Sequence, residues 1–182
     1  MKNQVNRKSS SLFFALFTLL LIRVTAQSDE VIVIDSNYSQ KQQVLDNIPS
    51  GSNILEVDAT ENPWKAIRNY LEQNQAILTL HLFANASYNS IAIGNNLYDS
   101  DAVDQEFELS MLEGLYQGNN IQLLIYDCNL GSNVEGLALL QKISERSYFN
   151  IGVPTKCNSL IGDDLVFDHT TLDQPVKKSI FQ

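Results

Sequence analysis

Three apolar runs set the limits on what this chain can fold into: Val31-Ile32-Val33-Ile34, Ala76 to Phe83, and Ile121 to Tyr126. Runs this short, with almost no polar alternation, read as strands buried on both faces. Such strands belong to parallel sheets covered by helices. Asn53 to Val57 and Phe149 to Val153 are two further short strands. Amphipathic stretches separate the five, so the pattern is α/β: a three-layer sandwich around a mostly parallel sheet of about five strands.

The connecting pieces carry their own signals. Ser39 can cap a short helix that ends at Asn47, before Pro49-Ser50-Gly51. Pro63 suits a first helical turn, with Trp64, Ile67 and Leu71 at helical spacing behind it. Gly94-Asn95-Asn96 between apolar pairs predicts a small β-hairpin over 90–98, after the third strand. Asp101 caps a helix expected to reach Gln117, with Phe107, Met111, Leu112 and Leu115 facing inward. A last helix over about 132–147 places Val134, Leu137, Leu140 and Ile143 on one side. Residues 160–182 read as irregular or as a small hairpin.

The first 26 residues read as a leader. Lys2, Arg7 and Lys8 precede an apolar run of 11 residues, Leu12 to Ile22, and Val24-Thr25-Ala26 supplies small residues for cleavage before Gln27. That run is short of the ~20 residues a membrane helix needs. Residues 27–182 then form a single α/β domain with no membrane span left after cleavage, placed in the periplasm, at the cell surface or in the medium. Of 12 Lys and Arg, four lie in the leader, whereas all 21 Asp and Glu lie beyond it, so the remainder carries −13. An acidic surface of that size excludes nucleic acid and anionic membrane as partners, since neutralising phosphates needs clustered cations.

Candidate site residues gather where the strands end. The carboxyl edge of an open α/β sheet is where ligands bind. Asp35 closes the first strand, Asn85 and Ala86 follow the third, and Asp127-Cys128 follows the apolar run 121–126. Cys128 is the one candidate nucleophile. Cys157 follows the strand that should neighbour it, and the two cysteines allow a single pairing, which the sequence leaves open. Such a bridge would close a loop of 28 residues. Asn37-Tyr38-Ser39 and Asn85-Ala86-Ser87 are N-glycosylation sequons. Acids at 99–108 lack the glycine and terminal glutamate of a calcium loop and read as helix-start charges, so no metal and no cofactor are expected.

The order of features resembles that of caspase-like cysteine peptidases. More closely, residues 31–165 resemble the domain of unknown function catalogued as "DUF forty-three forty-seven". The matching pieces are Val31 to Ser36, Leu80 to Ala86, Ser90-Ile91-Ala92-Ile93-Gly94-Asn95, Leu124 to Asn129, and Gly136 in the following helix. The resemblance implies a caspase-like topology and a place at the front of large bacterial adhesin-like surface proteins. It also implies a histidine where this chain has Asn85 and a glycine where it has Asp127. An amide orients a group but cannot shuttle a proton, and losing a general base costs about 10²–10⁴ in rate. A carboxylate beside a thiol disfavours the thiolate.

The chain's two histidines do not repair this. His81 falls in mid-strand, and His169 lies in the tail, from which it would have to fold back. The backbone N–H groups of Ala86 and Cys128 suggest an oxyanion pocket, but without a base such a pocket binds rather than turns over. The sequence therefore predicts a non-catalytic binding module for an unknown protein or surface ligand, with a degenerate site. The alternative is a cysteine peptidase or related hydrolase using Cys128.

Overall fold

The structure, a computed structural model, describes residues 28–115, 121–157, 159–162 and 164–182. The expected leader lies outside the described residues. The apolar runs form β1 (Glu30–Asp35), β2 (Asn53–Val57), β3 (Thr79–Phe83), β7 (Gln122–Ile125) and β8 (Asn150–Val153). Between β3 and β7 come three short strands, β4 (Asn85–Ala86), β5 (Ile91–Ile93) and β6 (Asn96–Tyr98); β9 (His169–Thr170) is the last. The helices are α1 (Lys41–Asn47), α2 (Pro63–Gln73), α3 (Ser100–Gln105), α4 (Phe107–Leu112) and α5 (Val134–Ser147).

The main sheet has the order β2-β1-β3-β7-β8-β9, parallel throughout except for β9, which runs antiparallel to β8. The α/β class and the mostly parallel sheet are as expected, with a sixth, two-residue strand added at one edge. The strand order is compatible with a caspase-like arrangement. The hairpin forms at β5–β6, turning through Gly94 at φ +61°, and β4 adds a third strand to it. Glycine is needed at this turn for a second reason. A Cβ on Gly94 would sit 3.0 Å from the Ala59 carbonyl.

Strand alternation divides the core in two. Val31, Val33, Leu80, Leu82, Leu123 and Ile125 face Trp64, Ile67 and Leu71 of α2, Val103 of α3, Leu109 and Leu112 of α4, and Leu139, Leu140 and Ile143 of α5. Ile32, Ile34, Phe83, Leu124 and Tyr126 face the other way, onto Val44 of α1 and onto Leu165 and Phe167. Val176, Ile180 and Phe181 complete that cover. The third layer is therefore one helix plus an extended C-terminal segment, rather than a row of helices.

Three helices differ from expectation. The helix expected from Asp101 breaks at Glu106, whose backbone is extended (φ −78°, ψ 102°) and whose carboxylate accepts the Glu108 N–H at 3.0 Å. Restarting there shifts the helical phase. Leu112 faces inward as expected and Leu109 joins it, while Phe107 and Met111 stay 67% and 44% exposed. The preceding cap is Asp99, not Asp101, with Oδ1 accepting from the N–H groups of Asp101 and Ala102. In α5, Val134 is the first residue and is exposed, and Leu139 takes the inner place. Ser39 does not cap α1; Gln40 holds that position without a side-chain bond.

Candidate functional site

Four segments meet at the carboxyl ends of β1, β3 and β7. Three short polar side chains, Asp127, Asp35 and Asn85, hold them together. Asp127, buried beyond the end of β7, accepts the N–H groups of Asn129 (2.7 Å) and Leu130 (2.8 Å) through Oδ1. It thereby starts the 3₁₀ turn Leu130–Ser132. This capping task is a structural reason for an acid at the position beside the cysteine. Asp35 is buried at the end of β1, where Oδ1 accepts the N–H groups of Asn37 (3.1 Å) and Gly94 (2.9 Å), tying the first loop to the hairpin.

Asn85 uses both ends of its amide on the loop after β1. Its Nδ2 donates to the Asn37 carbonyl (3.0 Å), and its Oδ1 accepts the Ser39 N–H (3.2 Å). A glycan attached to Asn85 would sit on the nitrogen that makes the first of these bonds. Asn37, the other sequon asparagine, is exposed, and its Nδ2 reaches the Gly94 carbonyl at 3.3 Å.

The sulfur of Cys128 is joined to Cys157 in a disulfide, with Cα atoms 5.7 Å apart. The β7–β8 ladder ends at Leu124 and Gly152, so the bridge ties the two chains just past their last paired residues. Gly131 lets the chains come this close, since a Cβ there would collide with the Pro154 carbonyl.

Neither imidazole reaches that sulfur. His81 is fully buried on β3, with Nδ1 2.9 Å from the Tyr126 hydroxyl and Nε2 3.1 Å from a Glu30 carboxylate oxygen. Both ring nitrogens are thus engaged, one by the phenol and the other by the carboxylate. The His81 bond, aided by Lys177 and opposed by burial, holds the Glu30 carboxyl down to about 2. Burial pushes the Tyr126 phenol up to about 12, opposed by its hydrogen bonds with Ser179 and with the Ile180 N–H. His169 sits on β9, paired with Val153.

These segments enclose a cleft of about 240 Å³. Its walls are Tyr38, Ser39 and Gln40 from the first loop, Ala84, Asn85 and Ala86 from the β3–β4 junction, Asp127, Cys128 and Asn129 from the end of β7, and Leu160. Burial, and then the Asp127 charge, raise the Tyr38 phenol above its usual range. Of the residues singled out in the sequence, Asn85, Ala86, Asp127 and Cys128 line this cleft together. Asp35 does not, being enclosed behind the loop. Tyr38 to Gln40, Ala84, Asn129 and Leu160 were not expected at the site; Tyr38 to Gln40 carried one usable signal, their place shortly after a strand end.

A larger recess of about 660 Å³ lies along the C-terminal segment, between Leu165 and Gln182. None of the strand-end residues lines it. The smaller cleft has the site-like position for an open parallel sheet. Among the described residues, no His, Cys, Asp and Glu side chains gather in a group able to hold a metal ion, and no helix is long and apolar enough to cross a membrane.

Fold and site together define a mostly parallel α/β domain whose strand-end cysteine is tied into a disulfide. The family model described as "Domain of unknown function (DUF4347)" matches residues 31–162, and the chain belongs to that family. No curated protein and no solved structure matches the chain.

Proposed function

We propose that this chain is an exported, non-catalytic binding module that holds a partner group in the cleft between the first loop, Asn85 and the end of β7. One observation carries the reading: the groups a cysteine hydrolase would use are committed elsewhere. The sulfur of Cys128 is in a disulfide, and Asn85, at the base position, clamps the loop at Asn37 and Ser39. A nucleophilic cysteine needs thiolate character and a neighbouring proton carrier.

The cleft volume narrows the ligand. At about 240 Å³ it falls below the ~300–1,000 Å³ of sites that engulf a drug-sized molecule. It suits one side chain or one sugar ring projecting from a larger partner. The surplus of acids favours a neutral or basic partner. A place at the cell surface or in the periplasm, in an adhesive setting, fits the leader and the family resemblance.

Three measurements test this. Reduced protein is treated with iodoacetamide at neutral pH; slow labelling of Cys128, at the rate of an ordinary exposed thiol, is expected. Fast, saturable labelling would return the hydrolase to first place. Arrays of immobilised peptides and glycans are then probed with the protein and with Ser39→Trp, which fills the cleft from an exposed loop. Binding that survives in folded Ser39→Trp places the ligand elsewhere. Export is tested in a secreting host by intact mass, with a chain beginning at Gln27 as the expected product.

A further inference from the structure

The Cys128–Cys157 bond opens on two sides. Cys128 is half-buried and forms part of the cleft wall. Cys157, also half-buried, borders a separate recess of about 120 Å³ together with Lys156, Ser159 and Asp164. The two ends differ in their neighbouring charge. The carboxylate of Asp127 directly precedes Cys128, and the ammonium of Lys156 directly precedes Cys157. Asp164 shares the second recess, and Lys156 also faces the carboxylate of Asp168, so its charge beside Cys157 is opposed in part.

This asymmetry bears on thiol–disulfide exchange. An incoming thiolate bonds to one sulfur, and the other leaves as a thiolate; the thiol of lower pKa leaves faster. A positive neighbour lowers a thiol's pKa and a negative one raises it. Cys157 is thus the better leaving group and Cys128 the sulfur attacked. The cleft is the open space on the attacked side.

We propose that the Cys128–Cys157 bond is a thiol–disulfide exchange site, in which a small thiol or a partner's cysteine seated in the cleft attacks Cys128 and displaces Cys157. This rests on the cleft being an open binding recess. In the first step R–S⁻ bonds to Cys128 Sγ, the protein S–S bond breaks, and its electron pair leaves on Cys157 Sγ. In the second, another R–S⁻ attacks the R-bearing sulfur, giving R–S–S–R and the Cys128 thiolate. Two thiols are oxidised by two electrons and the protein disulfide is reduced.

The oxidised full chain is incubated with glutathione, quenched in acid, alkylated and mapped by mass spectrometry. The expected product is a mixed disulfide on Cys128 with Cys157 alkylated, in about tenfold excess over the converse. Lys156→Gln is expected to slow the first step about threefold and Asp164→Asn to speed it by a similar factor; both positions are exposed. A glutathione adduct mainly on Cys157 overturns the proposal. So does an intact bond at glutathione concentrations that reduce the urea-unfolded chain. Either failure leaves the binding reading standing, since that is judged by the arrays. If Ser39→Trp abolishes array binding yet leaves exchange at Cys128 unchanged, the cleft is a binding site but the route of attack is not through it, and the inference fails alone.

Discussion

Asn85 joins the end of β3 to the loop after β1 through two bonds, one donated and one accepted. An imidazole has the same two kinds of ring nitrogen, but their directions differ from an amide's. The residue is therefore a clamp in its own right. Asn85→Ala removes both bonds, and at about 0.5–1.5 kcal/mol for each net hydrogen bond the expected loss is about 1–3 kcal/mol. Urea unfolding measures it, and hydrogen exchange should show faster exchange of the Ser39 N–H. Unchanged exchange there would show that the loop is held by Asp35 alone.

The disulfide acts on elements, tying the end of β7 to the chain beyond β8. In the chain-entropy picture a closed loop of 28 residues is worth roughly 3–4 kcal/mol. Cys157→Ser should cost about that much in equilibrium unfolding while leaving the far-ultraviolet circular dichroism unchanged. A loss below about 1 kcal/mol would mean that the contact of Gly131 with Pro154 already holds the strand ends.

β1, β3 and β7 were legible at this scale because burial on both faces leaves an almost unbroken apolar run, whereas the edge strand β2 keeps Ile54 and Glu56 exposed. The edges of elements were not. The break at Glu106 depends on a side chain capping its own backbone, which competes with helix continuation and leaves the apolar spacing ambiguous. Four cleft residues, Asn85, Ala86, Asp127 and Cys128, were readable from their place at strand ends. Asp35 has the same place in sequence, but the loop folds over it. Leu160 comes from a segment without any period, so nothing in the chain marks it.

At the scale of the whole molecule, the C-terminal segment is bolted down by charge at one end of the sheet. Lys177 Nζ bridges Asp29 (2.7 Å) and Glu30 (2.6 Å), Glu30 in turn meets His81, and the Ile180 N–H donates to Tyr126 (2.8 Å). The Glu30 carboxyl lies at about 2 in the fold against 4.5 ordinarily. A lowered carboxyl value contributes stability that is complete above 4.5 and is lost as pH falls from there towards 2. Melting temperatures should fall through that window, and Glu30→Gln should flatten the fall. An equally steep fall in Glu30→Gln would assign the acid sensitivity to other carboxylates.

The same segment supplies half of an aromatic cluster. Phe83 stacks on Tyr126 at 4.1 Å between ring centroids, and Phe167 and Phe181 meet Tyr126 edge-on at 5.1 and 5.9 Å. Yet the family match stops at residue 162, before either of those two phenylalanines. A fragment trimmed to the limits of similarity would bare a greasy flank of the sheet, and it should precipitate or bind hydrophobic dye more than the longer chain does. What is shared across a family and what must be kept for a protein to remain in solution are, in this case, different stretches of chain.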